Sequence, residues 1–184
     1  TSRAKKITQS VRISLSLSLT TDPSIHTHNH THTHTQQIRD AHADIVCLQE
    51  VQFVKIKNQW KLPSWLEVLS EFKSVLPCEK ELNHMADRNQ RVLNKYAPVA
   101  NAILYRHDRF EVISEISKRN QRVAATFIHC GQKEQTLFVA SLHLDATDTY
   151  KRSSTLRKCM CDFEKSKCRG AIFAGDMNSE FSVG

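Results

Sequence analysis

Ala171-Ile172-Phe173-Ala174-Gly175-Asp176-Met177-Asn178-Ser179-Glu180 is the stretch on which the fold turns. A short apolar run meets a glycine, then an aspartate and an asparagine separated by one residue. The run is too short for a helix and is followed by a breaker, so it reads as a buried strand. In an extended chain, residues two apart point to the same side. Asp176 and Asn178 are therefore expected to present a carboxylate and an amide together at the carboxyl end of that strand, where open α/β sheets bind their ligands.

Two more strand ends repeat this arrangement. Asp44-Ile45-Val46-Cys47-Leu48-Gln49-Glu50-Val51 is a nearly continuous apolar run that ends in Gln49-Glu50, and Leu137-Phe138-Val139-Ala140-Ser141-Leu142-His143-Leu144 carries His143 near its end. Strands are also expected at Ala100–Arg106, Phe110–Ser114 and Arg122–His129, with a hairpin turn at Cys130-Gly131-Gln132-Lys133. Helices are expected at 36–42, at Trp65–Phe72, where Leu66, Leu69 and Phe72 fall near one face, and at Thr155–Glu164. Residues 77–95 read as a loop or an exposed helix. Hairpins interleaved with helices predict an α/β sandwich of mixed sheets rather than a purely alternating parallel fold.

The segments at 43–51 (ADIVCLQEV), 140–146 (ASLHLDA) and 174–180 (AGDMNSE), in this order, resemble the endonuclease/exonuclease/phosphatase superfamily, also called DNase I-like. Asn101-Ala102-Ile103-Leu104-Tyr105-Arg106 resembles the Asn-Ala-Ile-Leu-Ser-Arg strand of that superfamily. Arg152 with Leu156 resembles its Arg-x-x-Gln-Leu helix, with Thr155 in place of the glutamine. The resemblance covers roughly 36–182 and implies a four-layer α-β-β-α sandwich of two mixed sheets, with the site where the sheets meet. Ile103–Glu111 and Gln49-Glu50-Val51 are similar to the deadenylase, nocturnin-like branch, which implies a 3′-5′ RNA exonuclease.

Composition bounds the partners. The chain has 184 residues, a formal net charge of +7 and a calculated pI near 9.2, which favours anionic partners such as nucleic acid, phospholipid headgroups or inositol phosphates. The densest basic group, Lys151 to Arg169, reads equally as a solvated helix face or as a phosphate track. No run of about twenty apolar residues occurs, so no membrane span is expected. Six cysteines without regular spacing read as reduced thiols, and hence as an intracellular protein, cytoplasmic or nuclear. Cys159, Cys161 and Cys168 lack the usual two-residue spacer of a zinc site.

The first 35 residues differ from the rest. Ser14-Leu15-Ser16-Leu17-Ser18-Leu19 alternates strictly, and Thr-His pairs recur from Thr27 to His34. These are the translations of CT and AC dinucleotide repeats, so 1–35 is read as a low-complexity, disordered or mistranslated repeat ahead of a partial domain at 36–184. The other reading of the histidines is an opportunistic metal tract.

Hydrolysis of a phosphate ester needs a charge-stabilising cation, an activated water and neutralised phosphoryl oxygens. Glu50 is a hard oxygen ligand suited to Mg²⁺ or Mn²⁺, and Mg²⁺ requires few protein carboxylates. Asp176 is the candidate to orient or deprotonate the attacking water. Asn178 and His143 are the candidates to meet phosphoryl oxygens. From the residues alone, Glu50 reads equally as a solvated strand end, and His143 as a core histidine. The resemblance implies the functional roles, and adds Asn101 and Arg152 as substrate-binding. It also implies an asparagine on an opening strand and an Asp-His pair on a closing strand. Neither occurs in this sequence, so the domain is expected to be incomplete at both ends and weak in catalysis. The alternatives are an inactive remnant that only binds anions, or a phosphatase acting on phospholipid or inositol phosphate.

Overall fold

Strand β2 (Ile45–Gln52) is buried on both faces, which is why its sequence is an apolar run rather than an alternation. Ile45 and Cys47 point to one side and Val46 and Leu48 to the other, each into a different core cluster. The computed structural model describes residues 13–18, 28–93, 97–119 and 121–179.

Two four-stranded sheets carry the fold. The first has the order β1 (Ile13–Ser18), β2, β6 (Val99–Arg106), β5 (Phe72–Val75). Its β1–β2 pair is parallel and the other pairs are antiparallel. The second has the order β10 (Gly170–Asp176), β9 (Gln132–His143), β8 (Arg122–His129), β7 (Phe110–Arg119), with β9–β10 parallel. A separate hairpin joins β3 (Val54–Ile56) to β4 (Gln59–Lys61). Its turn residues Lys57 and Asn58 both have positive φ, the geometry a two-residue hairpin loop prefers.

Three cores separate four layers. Ile103, Val75, Phe127 and Val139 fill the space between the sheets together with Ile45 and Cys47. Helix α1 (His28–Asp40), the single turn α2 (Ser64–Glu67) and α3 (Glu79–Leu93) cover the outer face of the first sheet through Ile38, Leu66, Leu82 and Ala86. Helix α4 (Thr149–Ser166) covers the second sheet through Cys159, Leu156 and Phe163, packed on Phe138, Ala140 and Leu142. Asp148 caps α4 by accepting from the Lys151 backbone N–H at 3.0 Å, and Lys167 closes it in the left-handed conformation. The expected α-β-β-α sandwich is the observed architecture.

Parts of the N-terminal repeat fall within described elements. The serine-leucine segment supplies β1, which runs parallel to β2 with Ser18 opposite Gln49, and the 35/36 boundary falls inside α1. Strict alternation at period two is a strand pattern whatever its origin, and Thr35 and Ile38 of α1 are buried. Residues 1–12 and 19–27 lie outside the described residues. The helix expected over Trp65–Phe72 stops at Glu67, and Phe72 opens β5. Leu66 and Leu69 are buried as the spacing implied, but the contacts are made by one turn and a bend.

Candidate active site

Glu50 owes its position to a break in β2. The β2–β6 register shifts between Leu48 and Val51, and Glu50 has φ +56°, a left-handed conformation uncommon for a glutamate. In a regular strand Glu50 would follow Leu48 onto the helix-covered face. The bulge re-aims it, as bulges next to functional sites do, while Val51 returns to that face. The Glu50 carboxylate instead lines a cleft of about 300 Å³ with Asn101, Gln121, His143 and Asp145.

The opposite wall comes from the second sheet. His143, the last residue of β9, places Nε2 3.9 Å from Glu50 Oε1. In the parallel register of β9 and β10, His143 stands beside Asp176. Gly175 permits this pairing. Its φ is +143°, and a Cβ there would lie 1.8 Å from the Leu142 carbonyl oxygen, so only glycine fits. Beyond β10 the chain turns. The Asn178 backbone N–H donates to Asp176 Oδ1 at 2.8 Å, and Asn178 Nδ2 donates to the Leu144 carbonyl at 2.7 Å. Asp176 and Asn178 are therefore side by side, but a left-handed turn at Asn178 (φ +45°) brings them together, not the extended spacing expected from the sequence.

A buried polar cluster ties the two walls. Gln49 Nε2 donates to Ser141 Oγ at 3.0 Å, Ser141 Oγ donates to the Leu48 carbonyl at 2.9 Å, and Asn101 Nδ2 donates to the Ser141 carbonyl at 3.1 Å. Gln49, Ser141 and Asn101 are at most 1% exposed. Buried polar groups of this kind are retained when they are paired, and they then set a unique arrangement. Here they fix how far β2 and β6 stand from β9, and so the spacing of Glu50 from His143.

Structural neighbours share this architecture. The human Nocturnin catalytic domain with bound sulfate anion superposes with a TM-score of 0.58 at 18% identity, covering 84% of this chain and 58% of that one. TDP2 from D. rerio, complexed with single strand DNA product, gives 0.57 at 16% identity over 91% of this chain and 60% of that one. The endonuclease/exonuclease/phosphatase from Bacteroides vulgatus gives 0.58 at 18% identity over 83% and 58%. This is the DNase I-like fold. The chain spans 58 to 60% of the length of these DNase I-like structures. No protein-family model matches the sequence, and no curated protein does. Among the described residues no helix is long and apolar enough to cross a membrane.

Within the DNase I-like fold, the expected site residues take different places. Glu50, Asn101 and His143 line one cleft, and Asp176 adjoins His143. Arg152 does not reach into the cleft: its guanidinium donates to the carbonyls of Asp145 and Ala146 at 2.9 and 3.2 Å and to Thr149 Oγ1 at 2.8 Å. It braces the Asp145–Asp148 loop that forms the rim. Asp145 accepts from the backbone N–H groups of Asp148 and Thr147, which hold its carboxyl below the usual carboxylate range. Ser141 and Gln121 escaped the sequence reading. A serine inside an apolar strand, flanked by Ala140 and Leu142, is the signal that would have marked Ser141.

A divalent cation fits this donor set in one way. Among the described residues no three His, Cys, Asp or Glu side chains converge closely enough to hold a metal. Glu50 offers one hard carboxylate, and Asn101 Oδ1 is a buried oxygen with no hydrogen-bond partner, on a residue lining the same cleft. Mg²⁺ is commonly held by one or two carboxylates, with waters and substrate oxygens completing its shell.

Proposed function

We propose that this chain is the core of a metal-assisted phosphodiesterase acting on single-stranded nucleic acid, with RNA as the substrate. The carrying observation is that Glu50 from one sheet and His143 from the other line a single cleft, with Asp176 beside His143 in the parallel register. The bound sulfate of the Nocturnin structure and the single strand DNA product of the TDP2 structure support an oxyanion ligand in this fold. The likeness of Ile103–Glu111 to deadenylase-like enzymes supports RNA and a 3′-5′ polarity.

Mg²⁺ or Mn²⁺ held by Glu50, with Asn101 Oδ1 beside it, would supply charge stabilisation at the phosphoryl group. Asp176 keeps one carboxylate oxygen, Oδ2, beyond the bond that Oδ1 accepts from Asn178. That oxygen can accept the proton of an attacking water. His143 Nε2 faces the cleft and can donate to a phosphoryl oxygen. Asn178 has one amide hydrogen left after the bond to Leu144, which serves the same purpose.

The test is Mg²⁺-dependent cleavage of a short single-stranded RNA, with DNA of the same sequence alongside. Glu50→Gln keeps the size and removes the charge. It is expected to lower the rate by about 10²–10³, the effect of deleting one transition-state charge stabiliser. Undiminished activity of Glu50→Gln, or activity in excess chelator, refutes the assignment of Glu50 to the cation.

A further inference from the structure

We propose that a second, basic recess beside the cleft binds a phosphate of the nucleic-acid strand away from the scissile bond. This rests on the nucleic-acid reading above and extends it to how the strand is held. The recess, about 130 Å³, is lined by Arg119, Gln121, Arg122, Thr155, Lys158 and Glu81. Gln121 lines both it and the cleft, and its carbonyl accepts the His143 backbone N–H at 3.0 Å, so the two sites share a wall.

The electrostatics favour an anion. Arg122 comes from β8 and spends Nε on Ser117 Oγ at 2.9 Å and Nη2 on Asp162 at 3.1 Å. Its third nitrogen, Nη1, is buried with no hydrogen-bond partner, and Asp162 Oδ2 of the same ion pair is likewise buried without one. A guanidinium N–H removed from water without an acceptor is costly, and native proteins seldom leave one so. Arg119 at the end of β7 and Lys158 on α4 stand on the same recess, and among the described residues neither makes an ion pair. The facing acids are Asp162, already paired with Arg122, and Glu81 on α3, so three cations meet two carboxylates. Arginine suits phosphate because its planar donors match the oxygens. A second phosphate one wall away from the cleft selects a chain of phosphodiesters over a single one.

The experiment is equilibrium binding of fluorescent single-stranded RNA of increasing length to the full chain, in chelator, across salt. For a single strand, neutralising one phosphate fewer lowers the log–log salt slope by about 0.7, so Arg119→Gln with Lys158→Gln, which takes the recess phosphate out of the count, should flatten it by about 0.7. Over a fourfold rise in salt this is about a 2.6-fold smaller fall in affinity. The gain in affinity with strand length should also shrink. Lys61→Gln with Lys73→Gln removes the same charge from the far side of the first sheet and should leave the slope within a few tenths. Circular dichroism confirms that both variants are folded. An unchanged slope in the Arg119/Lys158 variant, or an equal fall in the Lys61/Lys73 control, overturns the recess. Hydrolysis of a small single diester by the unsubstituted chain with Mg²⁺ reads the cleft separately. Hydrolysis with no recess effect refutes the recess alone. A recess effect without hydrolysis supports the recess and refutes the phosphodiesterase reading.

Discussion

Ser141→Ala tests whether the buried polar cluster holds the two sheets in register. The substitution keeps the β-carbon and opens almost no cavity, so the polar terms decide the outcome. Ser141 Oγ accepts from Gln49 Nε2 and donates to the Leu48 carbonyl, and both Ser141 and Gln49 are fully buried. An unsatisfied buried donor costs about 1–3 kcal/mol, and loss of an ordinary hydrogen bond about 0.5–1.5 kcal/mol. The expected destabilisation is therefore about 2–4 kcal/mol, a sizeable part of the roughly 5–15 kcal/mol that holds a domain. Urea unfolding followed by fluorescence of the buried Trp60 reads it. Gln49→Leu in the same background removes the Nε2 donor that Ser141 Oγ accepts, so the double variant should be more stable than additivity predicts by about 1–2 kcal/mol. If Ser141→Ala costs under about 0.5 kcal/mol and the pair adds, the cluster does not set the distance between sheets, and the placing of Glu50 against His143 needs another cause.

Gly175→Ala should destabilise by about 2–6 kcal/mol, combining about 1–3 for strained backbone with about 1–3 for overpacking against Leu142. A denaturation midpoint within error of the parent would refute the glycine requirement. Burial raises the Cys47 thiol from its ordinary 9.0 to about 12, and burial followed by repulsion from Glu115 raises Tyr105. Both are neutral when folded, so their contribution is complete below about pH 9 and is lost as pH climbs toward about 12. Stability should fall over that window, less steeply in Cys47→Ala, and a flat urea midpoint from about pH 9 to 11 contradicts this. At about pH 8, alkylation should label the exposed Cys78, Cys130 and Cys161 in native protein and spare Cys47 and Cys159. Labelling of all five at one rate would show that the cores are open.

The sandwich was legible because β2 and β8 are buried almost throughout and so announce themselves as short apolar runs, and β10 carries the same pattern although it is an edge strand and only half-buried. Elements held by tertiary contact were not. The β3–β4 hairpin carries the exposed Val54 and Ile56 and turns on Lys57-Asn58, without the glycine that marks such turns. Helix α4 begins at Thr149, well before the expected Thr155, because the Asp148 cap lies among polar residues with no apolar spacing to mark it. At the site, residue types at strand ends pointed to Glu50, His143 and Asp176. The bulge at Glu50 and the turn at Asn178 did not follow from periodicity, since both are departures from it. Arg152 shows the reverse limit: its hydrogen bonds to the Asp145 and Ala146 carbonyls of a loop are not marked by any spacing in the sequence.

The two sheets also differ in how far along the chain their strands must search for one another. β7, β8 and β9 form a meander of neighbours, with Arg119 paired to Arg122 and His129 to Gln132. β2 meets its antiparallel partner only at β6, where Ile45 lies opposite the distant Tyr105. Loop closure over that span must precede any reward from the pairing, so the distant pairing is the slow event. The meander is expected to form early as a template, with the first sheet condensing onto it. Glu50 and His143, one from each sheet, then become neighbours only in the closing step of folding. The cleft is thus a late product of assembly, an order that pulse-labelled hydrogen exchange reads directly, as protection of β8 amides ahead of those in β2.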